Sequence, residues 1–236
     1  MSLASLPTVR PPTVQNRFFD SGEKPRYVVV QSLLRLGKKY GVDDLYVRAL
    51  RRLEQLLPTD IKAWDLAQAN SPVTPEPADI ISMANITREL ELNRLHAMAL
   101  YMCCLLPAAT LVHGTSHSRG THEKLAPVDL AICIEAQPEL LKEKLRTAAA
   151  LTRCKADRCL DRPRCTQMRL EMQEWSIRST WLFKTDILAT YDTWKGAAGR
   201  VTGEMFCSTC DECFKATVQL CRESAIKRLS PIFQRA

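Results

Sequence analysis

Two short groups of cysteines in the last third of the chain have a spacing at which their thiols could act together chemically. Together they hold six of the ten cysteines, namely Cys154, Cys159, Cys165, Cys207, Cys210 and Cys213. Two groups of closely spaced thiolates, separated by a stretch that can fold back, are what a tetrahedral ion such as Zn²⁺ requires. This pattern is typical of a structural metal site and not of a catalyst.

The second group offers the clearer pair of metal ligands. Cys207 and Cys210 have the Cys-x2-Cys spacing and come just before a predicted helix, whose first N–H groups stabilise thiolates. We expect this pair to hold one zinc ion. The other two ligands are then two of Cys154, Cys159 and Cys165.

Other interpretations of the same cysteines remain open. Cys213 is a spare or alternative ligand, and all of these residues could be ordinary buried thiols, since free cysteine is often part of a core. An iron–sulfur cluster is less expected, because position 217, where the bacterial cluster spacing would have its fourth cysteine, is Thr217.

Signals for other chemistry are weak. His113, His117 and His122 could form a metal site, but the glycines and serines between them favour a solvated loop. Cys103 and Cys104 lie in an apolar predicted helix and are expected in the core. The sequence contains no glycine-rich phosphate loop, no G-x-S-x-G and no H-E-x-x-H, so we predict that the protein is not an enzyme.

The net charge of +7 is concentrated beside the first cysteine group. Residues 142–169 contain nine basic and three acidic side chains. A solvated basic surface is favoured over a nucleic-acid site, since no stacking aromatic residues accompany the charge. These cations would also offset the double negative charge of four thiolates on a divalent ion; they include Arg153, Lys155, Arg158, Arg162 and Arg164.

No membrane or secretory segment is predicted. The longest uncharged apolar run, residues 97–112, is too short to span a bilayer and contains Pro107. The first residues lack the apolar run of a signal peptide. We therefore expect an intracellular, cytoplasmic or nuclear protein without membrane association, whose cysteines are thiols or metal ligands and not disulfides.

The periodicity of apolar residues predicts an all-α protein, an irregular helical bundle with a helical hairpin at the N-terminal side and a cysteine-rich C-terminal part. We divide the chain into a disordered arm (1–16), helices (17–70), a helical region (78–150) and a cysteine-rich helical region (151–236). Thr59 is the expected cap of a helix to residue 69. Further helices are expected over 128–135, 138–151, 167–191 and 212–229, the last one stopping at Pro231, with a loop from Lys195 to Gly203.

The hairpin is predicted within residues 17–58. Its first helix begins at Pro25 and closes near Gly37, and its second runs from Val42 to Leu57, where Pro58 ends it. The expected core face comprises Leu33, Leu36, Leu45, Leu50 and Leu53.

The same stretch, RFFDSGEKPRYVVVQSLLRLGKKYGVDDLYVRALRRLEQLLP, resembles the end of a BTB/POZ domain from large fungal (mushroom-type) families. The order of later features is also similar: ALYMCC at 99–104, the spaced cysteines at 154–165, and a Cys-x2-Cys before a terminal helix. The resemblance implies binding to protein partners. A proline-rich arm precedes residue 17 where the BTB body would stand, so BTB-type self-association is not expected.

These observations lead to three hypotheses of function. The first is a non-enzymatic protein–protein interaction module related to BTB/POZ proteins, with one structural zinc. The second is a nucleic-acid-associated zinc-binding regulator, which the basic stretch at 142–169 would support. The third is a cysteine-based redox or metal-handling protein.

Overall fold

The computed structural model describes residues 27–70, 75–118, 120–154, 156–178, 186–202 and 206–234. These residues contain ten helices and one sheet of two short strands, which confirms the all-α prediction. The expected arm at 1–16 and the start of the BTB-like stretch at 17–26 lie outside the described residues. None of the helices described is both long enough and apolar enough to cross a membrane.

The N-terminal hairpin consists of α1 (Tyr27–Tyr40) and α2 (Asp43–Leu56), which pack against each other. Gly41 makes the turn between them in the left-handed region, with φ of 64°, which a glycine adopts without strain. Gly37 does not end the first helix as expected. It lies at a close approach of the two helices, because a Cβ on Gly37 would stand 2.8 Å from the Cβ of Tyr46.

The core face of α1 differs from the expected one. Tyr27, Val30 and Leu34 are buried, whereas Leu36 is 46% exposed. The predicted stripe is therefore rotated, since the close approach at Gly37 turns the neighbouring side of the helix inward. On α2 the observed core face is closer to the expected one, because Leu53 is fully buried and Leu50 is partly buried against the core.

Four further helices and a two-stranded hairpin complete the N-terminal side. The helices are α3 (Ile61–Asn70), α4 (Pro77–Glu89), α5 (Asn93–Cys104) and α6 (Ala108–His113). The first of them is capped by Asp60, whose Oδ1 accepts the Ala63 N–H at 2.9 Å, and not by Thr59. After α6, the strands β1 (Thr115–Ser116) and β2 (His122–Glu123) pair antiparallel. Both strands contact α4, which packs in turn against α5.

Two long helices continue through prolines that were expected to interrupt or end them. α7 (Pro127–Arg153) includes Pro138, and α10 (Ser208–Phe233) includes Pro231. A proline inside a helix removes one N–H bond to the carbonyl four residues earlier. For Pro138 that carbonyl belongs to Ile134, which is 56% exposed, so water can take the place of the missing donor.

The cysteine-rich side adds α8 (Arg162–Arg178) and α9 (Tyr191–Thr202) between these long helices. The segment from Lys195, predicted as a loop, is part of α9 up to Thr202. Of the helix predicted over 167–191, the residues up to 178 are helical and residues 179–185 lie outside the described part. The prediction is wrong for residues 186–190, which form a turn before α9.

Two apolar clusters form the interior. The larger cluster combines α1 to α6 with the first half of α7 and the last half of α10. The smaller cluster lies beside the cysteines and consists of Ala148, Leu151, Met172, Ala189, Trp194, Phe214 and Val218. Because α7 and α10 contribute to both, these two helices connect the cysteine-rich side to the rest of the protein.

A buried carboxylate ties three helices of the larger cluster together. Asp129, at the start of α7, is fully buried and accepts hydrogen bonds from Arg88 Nε at 2.7 Å and, through Oδ1, from His96 Nε2 at 3.0 Å. Burial alone raises the pKa of Asp129, but the hydrogen bonds from Arg88 and His96 outweigh it and lower this pKa below its usual value.

We expect Asp129→Asn to lower the free energy of unfolding at pH 7 by about 2–3 kcal/mol, because it breaks a charged hydrogen-bond pair. A carboxyl whose pKa is lowered by folding stabilises above its unfolded pKa of about 3.9 and loses this effect as the pH falls further. The difference between the variants should therefore shrink in acid. Urea titrations at pH 7 and pH 3 measure it, with the exposed Asp44→Asn as the control.

Candidate metal centre

Four cysteines from three elements come together at the end of the bundle. Cys159 lies in the turn between α7 and α8, and Cys165 lies in the first turn of α8. Cys207 is the N-cap of α10, and Cys210 follows in its first turn. Their four sulfur atoms all lie within 4.8 Å of one another, so this group could hold a metal ion.

One sulfur–sulfur distance of the group equals the edge expected for tetrahedral coordination. With metal–sulfur bonds of about 2.3 Å, the edge of a tetrahedron of thiolates measures about 3.8 Å. The Sγ atoms of Cys159 and Cys207 are 3.8 Å apart. This pair therefore has the separation that two ligands of one ion require, and the other sulfurs lie within 4.8 Å of it.

Local backbone geometry explains how two short segments can present four sulfurs. Asp161 Oδ1 accepts the Arg164 N–H at 3.1 Å, which fixes the start of α8 one turn before Cys165. The Cys207 N–H donates to Cys165 Sγ at 3.4 Å, so the start of α10 is bonded directly to the first cysteine group.

Backbone N–H groups also set the acidity of these thiols. The N–H of Cys210, followed by that of Leu160, lowers the pKa of the Cys207 thiol to about 6. Burial works the other way at Cys165, where it raises the pKa to about 12, and it also raises the pKa of Cys210. A bound cation would favour the thiolate forms of Cys165 and Cys210, which burial disfavours.

Exposed cations lie close in sequence to the first two cysteines of this group. Four predicted cations are exposed and lie between or beside the cysteines of the first group, namely Arg153, Arg158, Arg162 and Arg164. Four thiolates on one divalent ion would leave a net charge of two minus. The nearby arginines would offset this charge and so lower the electrostatic free energy of forming the metal centre. Lys155, the fifth predicted cation, lies outside the described residues.

Cys154, the remaining candidate ligand, stands outside the four-cysteine group. Its sulfur is bonded to that of Cys213 in a disulfide between the end of α7 and the first turns of α10. The expectation that the chain contains no disulfide is therefore wrong for this pair. Cys103 and Cys104 are buried and lie outside any disulfide, as expected for core thiols, and the same holds for Cys133.

The histidine-rich segment is more ordered than the predicted loop. His117 is largely buried, with Nδ1 3.3 Å from Asp79 Oδ1 and Nε2 3.7 Å from Glu123 Oε1. His122 Nε2 is 3.0 Å from the carbonyl oxygen of His113. Sequence reasoning missed the acidic partners of His117, although the spacing of Glu76 and Asp79 before an apolar helix is typical of a capping box, which the structure contains.

Comparison with known proteins finds no matching protein-family model, no similar curated protein and no similar solved structure.

Proposed function

We propose that this chain is a non-enzymatic protein–protein interaction module whose C-terminal side is held together by one structural zinc ion. The observation that carries the proposal is the approach of Cys159, Cys165, Cys207 and Cys210 within 4.8 Å of one another. These residues come from two segments 42 positions apart in sequence, counted from Cys165 to Cys207.

Zinc is the ion that this donor set favours. An all-thiolate tetrahedral group is typical of structural zinc, and thiolates select zinc over magnesium or calcium, which prefer oxygen ligands. Catalytic zinc sites keep one position for water or substrate, whereas four cysteines would fill every position. A closed site supports a structural role and gives substrate no access to the ion.

The interaction role rests on the resemblance to fungal BTB/POZ proteins, together with one feature of the hairpin. Exposed apolar side chains are concentrated near the turn between α1 and α2, including Leu36, Tyr40, Val42 and Val47. Apolar surface of this kind is often covered by a protein partner. In this proposal the zinc and the disulfide keep α8 and α10 in place, while the helices provide the surface for binding.

Metal analysis of the purified protein tests the proposal. We expect one zinc per chain, because four thiolates saturate one ion. Cys159→Ser should lower this ratio strongly, and Cys221→Ser, at a half-exposed cysteine of α10 outside the group, should leave it unchanged. Protein purified without metal from zinc-replete cells, or one carrying iron instead, would contradict the zinc assignment.

A further inference from the structure

The four grouped cysteines differ in their access to solvent. Cys159 and Cys207 are partly exposed, whereas Cys165 and Cys210 are buried. The two accessible residues belong to different segments, since Cys159 lies in the turn before α8 and Cys207 is the N-cap of α10. A reagent in solution therefore meets one cysteine of each segment before it meets the other two.

The accessible pair is also close enough to react. The Sγ atoms of Cys159 and Cys207 are 3.8 Å apart. A disulfide requires about 2.05 Å between its sulfurs, so the two atoms would have to approach each other by about 1.8 Å. A change in the side-chain torsion angles moves a sulfur by this amount.

The neighbouring disulfide shows that these two segments accept a covalent link. Cys154 is bonded to Cys213, and each stands in the same segment as one member of the accessible pair. Cys154 precedes Cys159 in the first segment, and Cys213 follows Cys207 in the second, so the order is antiparallel. A second link would therefore lie beside the first without the segments crossing, at a distance of about 9 Å along α10.

From these observations we propose that Cys159 and Cys207 are a redox-active pair, which a small disulfide oxidises to a second cystine link, with release of the zinc ion. The inference rests on the proposed function, because the ion released is the one assigned to the four cysteines. Oxidation takes two of the four thiolates from the ion, and Cys165 and Cys210 alone would leave half of its tetrahedral positions unfilled.

The oxidation is a thiol–disulfide exchange in two steps. The Cys207 thiolate attacks one sulfur of the small disulfide, and the other sulfur leaves as a thiolate. The Cys159 thiolate then attacks the Cys207 sulfur of this mixed disulfide, and the second small thiolate leaves. Two protein thiolates thus lose two electrons together, and one small disulfide is reduced to two thiolates. The ion leaves as Zn²⁺, while Cys165 and Cys210 stay reduced.

Oxidation exchanges one connection between the two segments for another. The zinc ion joins the turn before α8 to the start of α10, and the new link joins the same places through a covalent bond. We therefore expect the oxidised protein to keep α8 protected from hydrogen exchange although its zinc is gone. In Cys207→Ser, by contrast, the ion is lost and no link replaces it.

Oxidised glutathione added to the purified full chain tests the pair, with reduced glutathione at the same concentration as the control. A chromogenic zinc indicator follows the ion, and mass spectrometry of tryptic peptides prepared without a reductant follows the link. We expect about one zinc released for each link formed, and release at least about tenfold faster than with reduced glutathione. The link should join residues 159–164 to residues 201–215, and peptide fragmentation should place it at Cys207.

Three variants separate the pair from the ion. Cys165→Ser removes a buried ligand and should lower the zinc content, but it keeps both members of the pair, so the link should still form. Cys159→Ser should abolish the link between residues 159–164 and 201–215. Cys221→Ser, outside the group, should keep both the zinc and the link.

The outcomes distinguish this inference from the proposed function. If the purified chain holds no zinc, the proposed function fails, and formation of the link alone decides whether the pair is redox-active. Zinc release without the link, a link from residues 165–169 in place of 159–164, or a wild type that keeps its zinc and forms no link overturns the inference. If Cys165→Ser does not fold, the peptides of the oxidised wild type decide.

Discussion

Cys207→Ser is expected to abolish zinc binding and to unfold the cysteine-rich side of the protein while α1 and α2 stay folded. Structural zinc contributes about 10–16 kcal/mol of binding free energy in small metal-dependent domains, so losing one of four thiolates removes a large part of the local stability. Hydrogen exchange should accelerate from Ala156 to residue 178 and in the first turns of α10.

The physical reason is the small size of the cluster beside the metal. The smaller apolar cluster contains seven buried residues, against a larger one that spans most of the other helices. Bringing Cys165 and Cys207 together orders a connection of about forty residues, which costs conformational entropy. The apolar surface buried in so small a cluster compensates for only part of this cost. The disulfide between Cys154 and Cys213 would still join α7 to α10, but it lies outside the turn that carries Cys159.

Cys221→Ser is the matched control for this experiment, because Cys221 lies on α10 as well but outside the four-cysteine group. It should keep both the zinc and the exchange pattern of the wild type. A chelator added to the wild type should reproduce the pattern of Cys207→Ser. Equal protection of α8 in the wild type and in Cys207→Ser would contradict a structural role for the ion.

The spacing of cysteines in the sequence predicts much of the four-cysteine group, but it does not predict which cysteines of the first group belong to it. The Cys-x2-Cys of Cys207 and Cys210 predicts two neighbouring sulfurs, because one residue caps a helix and the other lies in its first turn. Nothing in the spacing of Cys154, Cys159 and Cys165 selects two of the three. The selection is tertiary, since Cys154 ends α7 on the side where it meets Cys213.

Helix boundaries show the same division between local and tertiary causes. Periodicity predicts most of the helices, since apolar side chains recur at helical spacing wherever one face is buried, but it misses α9, whose second half was expected to be a loop. Pro138 and Pro231 are local stop signals that the packing of α7 and α10 overrides. The order of the segment around His117 likewise depends on Asp79, which lies 38 residues away in sequence and becomes a neighbour only in the fold.

Leu34→Asp is expected to prevent stable folding of the hairpin, whereas Leu36→Asp two positions later should change little. Leu34 is fully buried, so an aspartate there would place an unpaired charge in the apolar interior, at a cost above about 4 kcal/mol. Leu36 is 46% exposed, and a charge there stays hydrated, with an expected change within about 0.5 kcal/mol.

The two leucines form a matched pair, because both lie within α1 and both changes introduce the same charge. Thermal and urea unfolding followed by circular dichroism should show a loss of cooperative unfolding, or a much lower Tm, for Leu34→Asp alone. The sequence pattern by itself predicts the opposite order, since it places Leu36 on the core face. Comparable destabilisation by both variants would mean that α1 buries Leu36 as well as Leu34, and the close approach at Gly37 would then not set the inward face.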